Sequence, residues 1–288
     1  MKPPPLDYLR PATVDEAIAA LAADEDAKVL AGGQSLVPLL ALRLARPSRL
    51  VDICDLGLEG VGEGKEGSIR VGAGVRQRHL ELDPAIRTAV PLLADAVGQV
   101  GYPSTRNRGT LGGSLAHADP VAELPVVAAA LGAVAVAAGP SGTREIPCAE
   151  LSTGWFSTVL DPAELLTEVR FPAVAGPRHG AAWREWAPRA HDFATAGVGV
   201  ALDLDASGTC TAVHAAACGI GGSPLVLSDA LGSVIGFAAG ADPTALLRSV
   251  ATAAREAAAG GEEDQVELVG LLAARAVADA LASAGVAA

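Results

Sequence analysis

Residues 29–36 read VLAGGQSL and residues 110–120 read TLGGSLAHADP, and these two double-glycine stretches constrain the fold more than any other part of the chain. In the first, Val29 and Leu30 suit a buried strand, Gly32-Gly33 a sharp turn, and residues 36–44 a helix with Ser35 as its N-cap. Such a unit favours an anion. Glycines allow positive φ and close backbone approach, successive N–H groups form a nest, and the helix directs its positive end to the same place. Alone, a double glycine is more often only a tight turn, and this one is not the G-x-G-x-x-G of Rossmann units.

In the second stretch Gly112-Gly113 sit among hydroxyl residues, with Arg106, Asn107 and Arg108 just upstream. A basic island of this kind suits an anionic ligand or an acidic partner surface, or is ordinary solvated loop charge. His117 and Asp119 have no third partner at catalytic spacing, so both read as structural hydrogen-bonding groups. Two convergent loops could together surround a diphosphate, which needs several N–H donors. FAD, NAD and a nucleotide sugar all carry one.

Working outward, Thr13 and Glu16 form a capping-box pattern ahead of Val14, Ala17, Ile18 and Leu21 at helical spacing. Strands are expected at 50–53 and 69–71, separated by a glycine-rich loop over 57–67, and a helix over 91–100. Residues 101–120 are too rich in Gly, Pro, Ser, Thr and Asn for regular structure, which predicts a long, ordered binding loop. A helix over 123–130 and strands over 134–137 and 165–171 follow, and residues 173–178 read as a boundary. Strands at 197–204 and 210–218 then precede helices at 243–259 and 266–282, a second α+β domain with sheet first and helices last. The expected division is 1–175 and 176–288.

The chain has 288 residues and is half hydrophobic, yet only 3% aromatic, so Ala, Val, Leu and Gly must fill the interior. Its formal net charge of −12 argues against nucleic acid as a partner. Cys54, Cys148, Cys210 and Cys218 are scattered without a C-x-x-C pair, so no zinc or iron–sulfur site is expected on this chain. The amino-terminal residues lack the apolar core of a signal peptide. The most apolar run, 124–138, is too short to span a bilayer and is broken by Pro125 and Gly132. A soluble, cytoplasmic protein without membrane association is expected.

The segments AGGQSLVPLLALRLARPSRLVDI, RNRGTLGGSLAHADPVAELP and WREWAPRAHDFATAGVGVAL, in this order, closely resemble the medium, FAD-binding subunit of the xanthine dehydrogenase and carbon monoxide dehydrogenase family of molybdenum hydroxylases. The resemblance covers essentially the whole chain. It implies an α+β fold of the vanillyl-alcohol-oxidase (PCMH) type, with two FAD-binding subdomains and a smaller C-terminal α+β domain. It implies that Val29, Leu30, Ala31, Gly32, Gly33, Gln34, Ser35 and Leu36 wrap the pyrophosphate through their backbone. Thr110, Gly112, Gly113 and Ser114 would form the second wall, with Val100 flanking the cofactor. Glu123, where the family usually has aspartate, would touch the ribityl or adenosine portion. Leu166 would contact the adenine or flavin edge through its backbone. Arg184 stands where lysine is usual near the flavin, and Phe193 where relatives place an aromatic beside the isoalloxazine. Glu123 is one methylene longer than aspartate, and Arg184 lacks the point-like charge of lysine.

The resemblance further implies a last station for electrons. A large molybdopterin subunit would hydroxylate the substrate, a small subunit would relay electrons through [2Fe-2S] clusters, and FAD on this chain would pass them to an external acceptor. The expected assembly is a dimer of heterotrimers, with the strip 106–108 or the C-terminal helices as docking surfaces. No side chain here is nominated as a general acid or base, and no metal ligand is expected. Two other readings stay open: an FAD-loaded binding or assembly module without turnover, and a stand-alone flavin reductase or oxidase of the same superfold.

Overall fold

The computed structural model describes residues 3–173 and 178–286. Near the amino terminus β1 (Asp7–Leu9), β2 (Lys28–Leu30) and β3 (Arg49–Asp52) pair in parallel, in the order β1-β3-β2. Parallel neighbours require crossovers, and the helices Val14–Ala22 and Leu36–Ala41 lie in them. Thr13 caps the first, its hydroxyl accepting the Glu16 N–H at 3.1 Å. The Glu16 carboxylate reaches one residue beyond the usual capping-box partner, accepting the Ala12 N–H at 2.8 Å. The second helix ends earlier than the expected 36–44, because Arg43 turns into the left-handed region at φ 61°. Ser35 stands at its N-cap but makes no side-chain capping bond.

A second sheet runs β4-β5-β10-β6-β7, all antiparallel, from β4 (Val61–Glu63), β5 (Ile69–Gly72), β6 (Val134–Gly139), β7 (Gly142–Pro147) and β10 (Leu165–Phe171). A small hairpin, β8 (Ser152–Gly154) with β9 (Ser157–Thr158), precedes β10. The stretch 57–67, expected as loop, contains β4, whose Val61 and Glu63 pair with Val71 and Ile69. Nor is 101–120 one loop. Pro103 opens the helix Pro103–Arg106, and Thr110 caps the helix Leu111–His117 by accepting the Gly113 N–H at 3.1 Å. The second double glycine therefore lies inside a helix rather than at a turn. The sheet and the helices Gln77–Leu82, Pro84–Ala89, Pro91–Val97 and Glu123–Ala130 enclose the central core, where Leu80, Ile86, Leu93, Leu124 and Phe171 are fully buried.

The third sheet follows chain order: β11 (Arg178–Trp186), β12 (Ala196–Leu204), β13 (Cys210–Cys218) and β14 (Leu225–Val226). Period-two alternation gives it two buried faces. Trp183, Ala201, Ala216 and Cys218 pack into the central core, while Ala182, Val200, Leu202 and Ala215 face the opposite way, with residues of the helices Thr244–Ala257 and Glu263–Ser283. The free edge of β11 is covered: the Asp95 carboxylate accepts the Trp183 N–H at 2.7 Å, and the Ser283 hydroxyl accepts the Ala181 N–H at 3.0 Å. The expected division between 175 and 176 lies outside the described residues.

Gly180 lets β11 touch the last helix, since a Cβ there would stand 1.9 Å from the Ala280 carbonyl oxygen. Gly180→Ala should therefore destabilise the protein by about 2 kcal/mol through overpacking, read as a lower urea midpoint. An unchanged midpoint would show that the helix shifts without cost.

Candidate cofactor site

The strands β2 and β3 end side by side at Leu30 and Asp52, and a cleft of about 490 Å³ opens beyond their carboxyl ends. Leu30, Ala31, Gly32, Gly33, Gln34, Val37 and Pro38 line it, together with Asp52, Cys54 and Arg108. Gly33 makes the turn at φ 74°, a conformation that side chains rarely adopt. The four successive N–H groups of Gly32, Gly33, Gln34 and Ser35 have no protein acceptor among the described residues, the next intramolecular donor being Val37 to the Gly33 carbonyl at 3.0 Å. Gly32 is buried, Gly33 half-buried, and Gln34 and Ser35 exposed at a helix start, so these donors are open to water or to a ligand. The Gln34 side chain folds back on its own loop, donating to the Gly32 carbonyl at 3.3 Å. With the capping bond absent, the Ser35 hydroxyl is not committed to the helix.

The second double-glycine segment meets the first in space. A Cβ on Gly32 would stand 2.3 Å from the Arg108 carbonyl oxygen and 2.8 Å from the Gly109 Cα, and one on Gly113 would lie 3.6 Å from the Ala31 Cβ. Side chains tie the same segments. Arg76 Nη1 donates to the Arg108 carbonyl at 2.5 Å and Nη2 to Cys54 Sγ at 3.7 Å, while the Cys54 thiol donates to the Ala31 carbonyl at 3.3 Å. The contribution of the second segment differs from a second nest of amides. The N–H groups of Leu111, Gly112, Gly113 and Ser114 are already bonded to Val75 O, Ala73 O, Thr110 Oγ1 and Thr110 O. The backbone N–H groups of this segment are thus not free donors, and Thr110, Gly112, Gly113 and Ser114 lie behind Arg108 rather than among the residues that line the cleft.

Arg106 is not part of a surface strip. It is 5% exposed and clasps Glu81 with Nε and Nη2 at 2.8 and 3.1 Å. Its Nη1 donates to the carbonyls of Val100 and Gly101 at 3.0 and 2.7 Å, so Val100 faces this guanidinium through its carbonyl. The fork holds the turn that leads into the second segment, where Gly101 has φ 44°. The expectation that 106–108 docks a partner therefore fails for Arg106, because burial removes it from any surface. Arg108, two residues on, is exposed and lines the cleft.

The remaining expected residues lie elsewhere. Leu166 is buried on β10, in the central core. Glu123 opens the helix Glu123–Ala130 among acids: burial, together with the charges of Glu185 and Asp119, pushes its carboxyl up to about 8. Glu185 accepts the Trp183 indole N–H at 2.7 Å on the same side of the third sheet. Arg184 points to the other face of β11, where its Nε pairs with Asp279 of the last helix at 2.7 Å, apart from the cleft and from Glu123. Phe193 is 79% exposed in the connection between β11 and β12, whose His191 packs on the Tyr102 ring at 4.6 Å between centroids. His117 packs on Phe156, and Asp119 accepts the Val121 N–H, both structural uses. Asp52 and Cys54 line the cleft without any local sequence signal. What places them there is the parallel pairing of β3 beside β2.

A row of free amides at the carboxyl ends of parallel strands, packed against a second glycine segment, suits a phosphate-bearing cofactor. Residues 4–174 match the family described as the FAD binding domain in molybdopterin dehydrogenase, and the chain belongs to that family. It is 39% identical over 262 residues, covering 90% of this chain and 86% of the relative, to the 6-hydroxypseudooxynicotine dehydrogenase complex subunit alpha of Paenarthrobacter nicotinovorans. It is 33% identical, over 99% of both chains, to the carbon monoxide dehydrogenase medium chain of Afipia carboxidovorans. Among solved structures, carbon monoxide dehydrogenase from Hydrogenophaga pseudoflava lacking the Mo-pyranopterin moiety superimposes with a TM-score of 0.91 at 32% identity, over 99% of this chain and 100% of that one. Quinoline 2-oxidoreductase from Pseudomonas putida 86 does so with a TM-score of 0.87 at 33% identity, over 99% of both chains. The chain is thus an FAD-binding medium subunit of the molybdenum hydroxylases, which are oxidoreductases. No helix among the described residues is long and apolar enough to cross a membrane.

Two outcomes follow from this geometry. Gly32→Ala forces the two segments apart and should weaken FAD binding by about tenfold or more, measured by flavin fluorescence quenching, with the far-UV spectrum unchanged. Equal affinity would mean the segments need not touch. For Glu123 the folded protein binds a proton that the unfolded chain releases, so the apoprotein loses stability as pH rises from about 4.5 towards 8. Glu123→Gln should flatten that slope in urea titrations across the window, and a slope identical to the parent's would contradict the burial of a charge there.

Proposed function

We propose that this chain is the electron-transfer subunit of a heteromeric molybdenum hydroxylase, working beside a large molybdopterin subunit and a small subunit with [2Fe-2S] clusters in a dimer of heterotrimers in the cytoplasm. The observation that carries the reading is the row of unmatched N–H groups from Gly32 to Ser35, beside a cleft lined by Gly32, Gly33, Gln34 and Arg108. The relatives' names support the partners: one is a subunit of a dehydrogenase complex, another a medium chain. We also propose a division into 1–175 and 176–288, in keeping with the family match over 4–174.

FAD, when bound, supplies the redox chemistry, taking electrons from the clusters and releasing them to an external acceptor. The chain supplies position. Residues 29–36 hold the diphosphate with backbone amides, and Thr110, Gly112, Gly113 and Ser114, fixed by their own hydrogen bonds, lie behind Arg108. Val100 and Leu166 border the cofactor from the central core, and Glu123 offers its carboxyl to a hydroxyl of the cofactor. A protonated Glu123 is a donor as well as an acceptor, so its raised proton affinity fits that task. Phe193, on an exposed connection, covers the ring system. Arg184, which the resemblance puts near the flavin, is engaged with Asp279 of the last helix.

Visible spectra test the reading. The full chain, purified, should be yellow, and in complex with its large and small partners it should bleach on adding the hydroxylated substrate, whereas the isolated chain should not. A flavin that stays oxidised in the complex would leave only an FAD-loaded module, and a colourless chain that ignores added FAD would remove the reading.

A further inference from the structure

Arg108 stands out on the cleft as a cation with no assigned partner. Its backbone is fixed on both sides: the N–H donates to the Thr105 carbonyl at 3.1 Å, and the carbonyl accepts Arg76 Nη1 at 2.5 Å while lying against Gly32. Its side chain lines the cleft and is exposed, and it joins none of the ion pairs found among the described residues. The carboxylate that also lines the cleft, Asp52, is otherwise engaged, accepting the Tyr8 hydroxyl at 2.5 Å and the Cys54 N–H at 2.9 Å. Gly32, Gly33 and Gln34, whose amides are unmatched, line the same cleft.

We propose that Arg108 adds its guanidinium to the amides that hold the cofactor's diphosphate, and that Arg76 is the positioning residue that holds Arg108 at the rim. This rests on the FAD reading above. The physical need is plain. Backbone amides are neutral dipoles, and a chain with a formal net charge of −12 gives a diphosphate no long-range welcome. A guanidinium presents parallel N–H donors that match two phosphate oxygens at once, and its charge makes each bond stronger than a neutral one. Anchoring the Arg108 backbone before the ligand arrives reduces the ordering cost of that contact.

The experiment uses the full-length apoprotein and three probes: FAD, whose fluorescence is quenched on binding, and ADP and adenosine as competitors, with and without the diphosphate. Arg108→Gln should raise the FAD dissociation constant at least about fivefold. It should also cut the advantage of ADP over adenosine by a similar factor, while adenosine itself binds as before. Arg108→Lys should restore part of the ADP advantage, since charge returns without the fork. A change below fivefold in FAD affinity would overturn the proposal, as would equal weakening of ADP and adenosine, which would put Arg108 on the nucleoside instead. Failure of the unsubstituted chain to bind FAD would remove the cofactor reading and this proposal with it. Normal binding by both the unsubstituted chain and Arg108→Gln removes the proposal alone.

Discussion

The bare Cα of Gly32 rests on the main chain of Arg108 and Gly109, at a separation that leaves no room for a methyl group. Much else depends on that contact. Gly32 hangs from the end of β2 in the small parallel sheet, whereas the 108–114 segment is tied to the antiparallel sheet through the Gly112 N–H bond to Ala73, which itself bonds to Thr167 of β10. Two sheets with no shared strand are thereby joined where the cleft opens. The ties through Arg76 and Cys54 reinforce the same junction. Main-chain contact suits this purpose because it immobilises no long side chain, so the opening is held at little entropic cost before any ligand binds.

The electrostatics follow a local logic. A strongly acidic protein that holds an anionic cofactor looks contradictory only if charge is averaged over the molecule. Exposed charges are screened within about 8–10 Å at physiological ionic strength, whereas amides and a guanidinium act at hydrogen-bond distance. Of the two arginines bracketing Asn107, only Arg108 is free to act at the cleft. Arg106 is buried against Glu81, whose carboxyl is held below its ordinary range chiefly by that guanidinium. One arginine builds the turn and the other faces the ligand, although the sequence presents them as a matched pair.

Much of this was legible in the residues. The strand–turn–helix unit at 29–36, the capped helix after Thr13, the helix at Glu123 and the strand from Cys210 to Cys218 were all legible there. The helix Leu111–His117 was hidden by its glycines, because composition signals a loop while the Thr110 hydroxyl supplies the cap that makes a helix. The first strand of the third sheet, β11, was hidden by Arg178, His179, Arg184 and Glu185, which interrupt an apolar pattern although Trp183 is buried. Asp52 and Cys54 could not be placed on the cleft at all without the β2–β3 pairing, a contact between segments that carry no mark of each other.

The scarcity of aromatic residues explains why glycine recurs wherever the structure is tight. Tyr8, Tyr102, Trp155, Phe156, Trp186 and Phe193 are exposed, so the interior holds few large rings. A core of Ala, Val and Leu gains less per side chain than one of aromatics, since the gain scales with apolar area. Its elements must approach closely to reach interior packing density. Gly180 against the last helix, Gly112 against Ala73, and Gly197 and Gly199 beneath the Trp183 ring are all such approaches. The cleft at Gly32 uses the same device with a different result: there the close approach brings two loops together around open space, and the amides left unmatched by the protein face that space. In this chain, then, the packing rule that compensates for missing aromatics and the geometry that readies a diphosphate site arise from one property, a backbone stripped of side chains where segments meet.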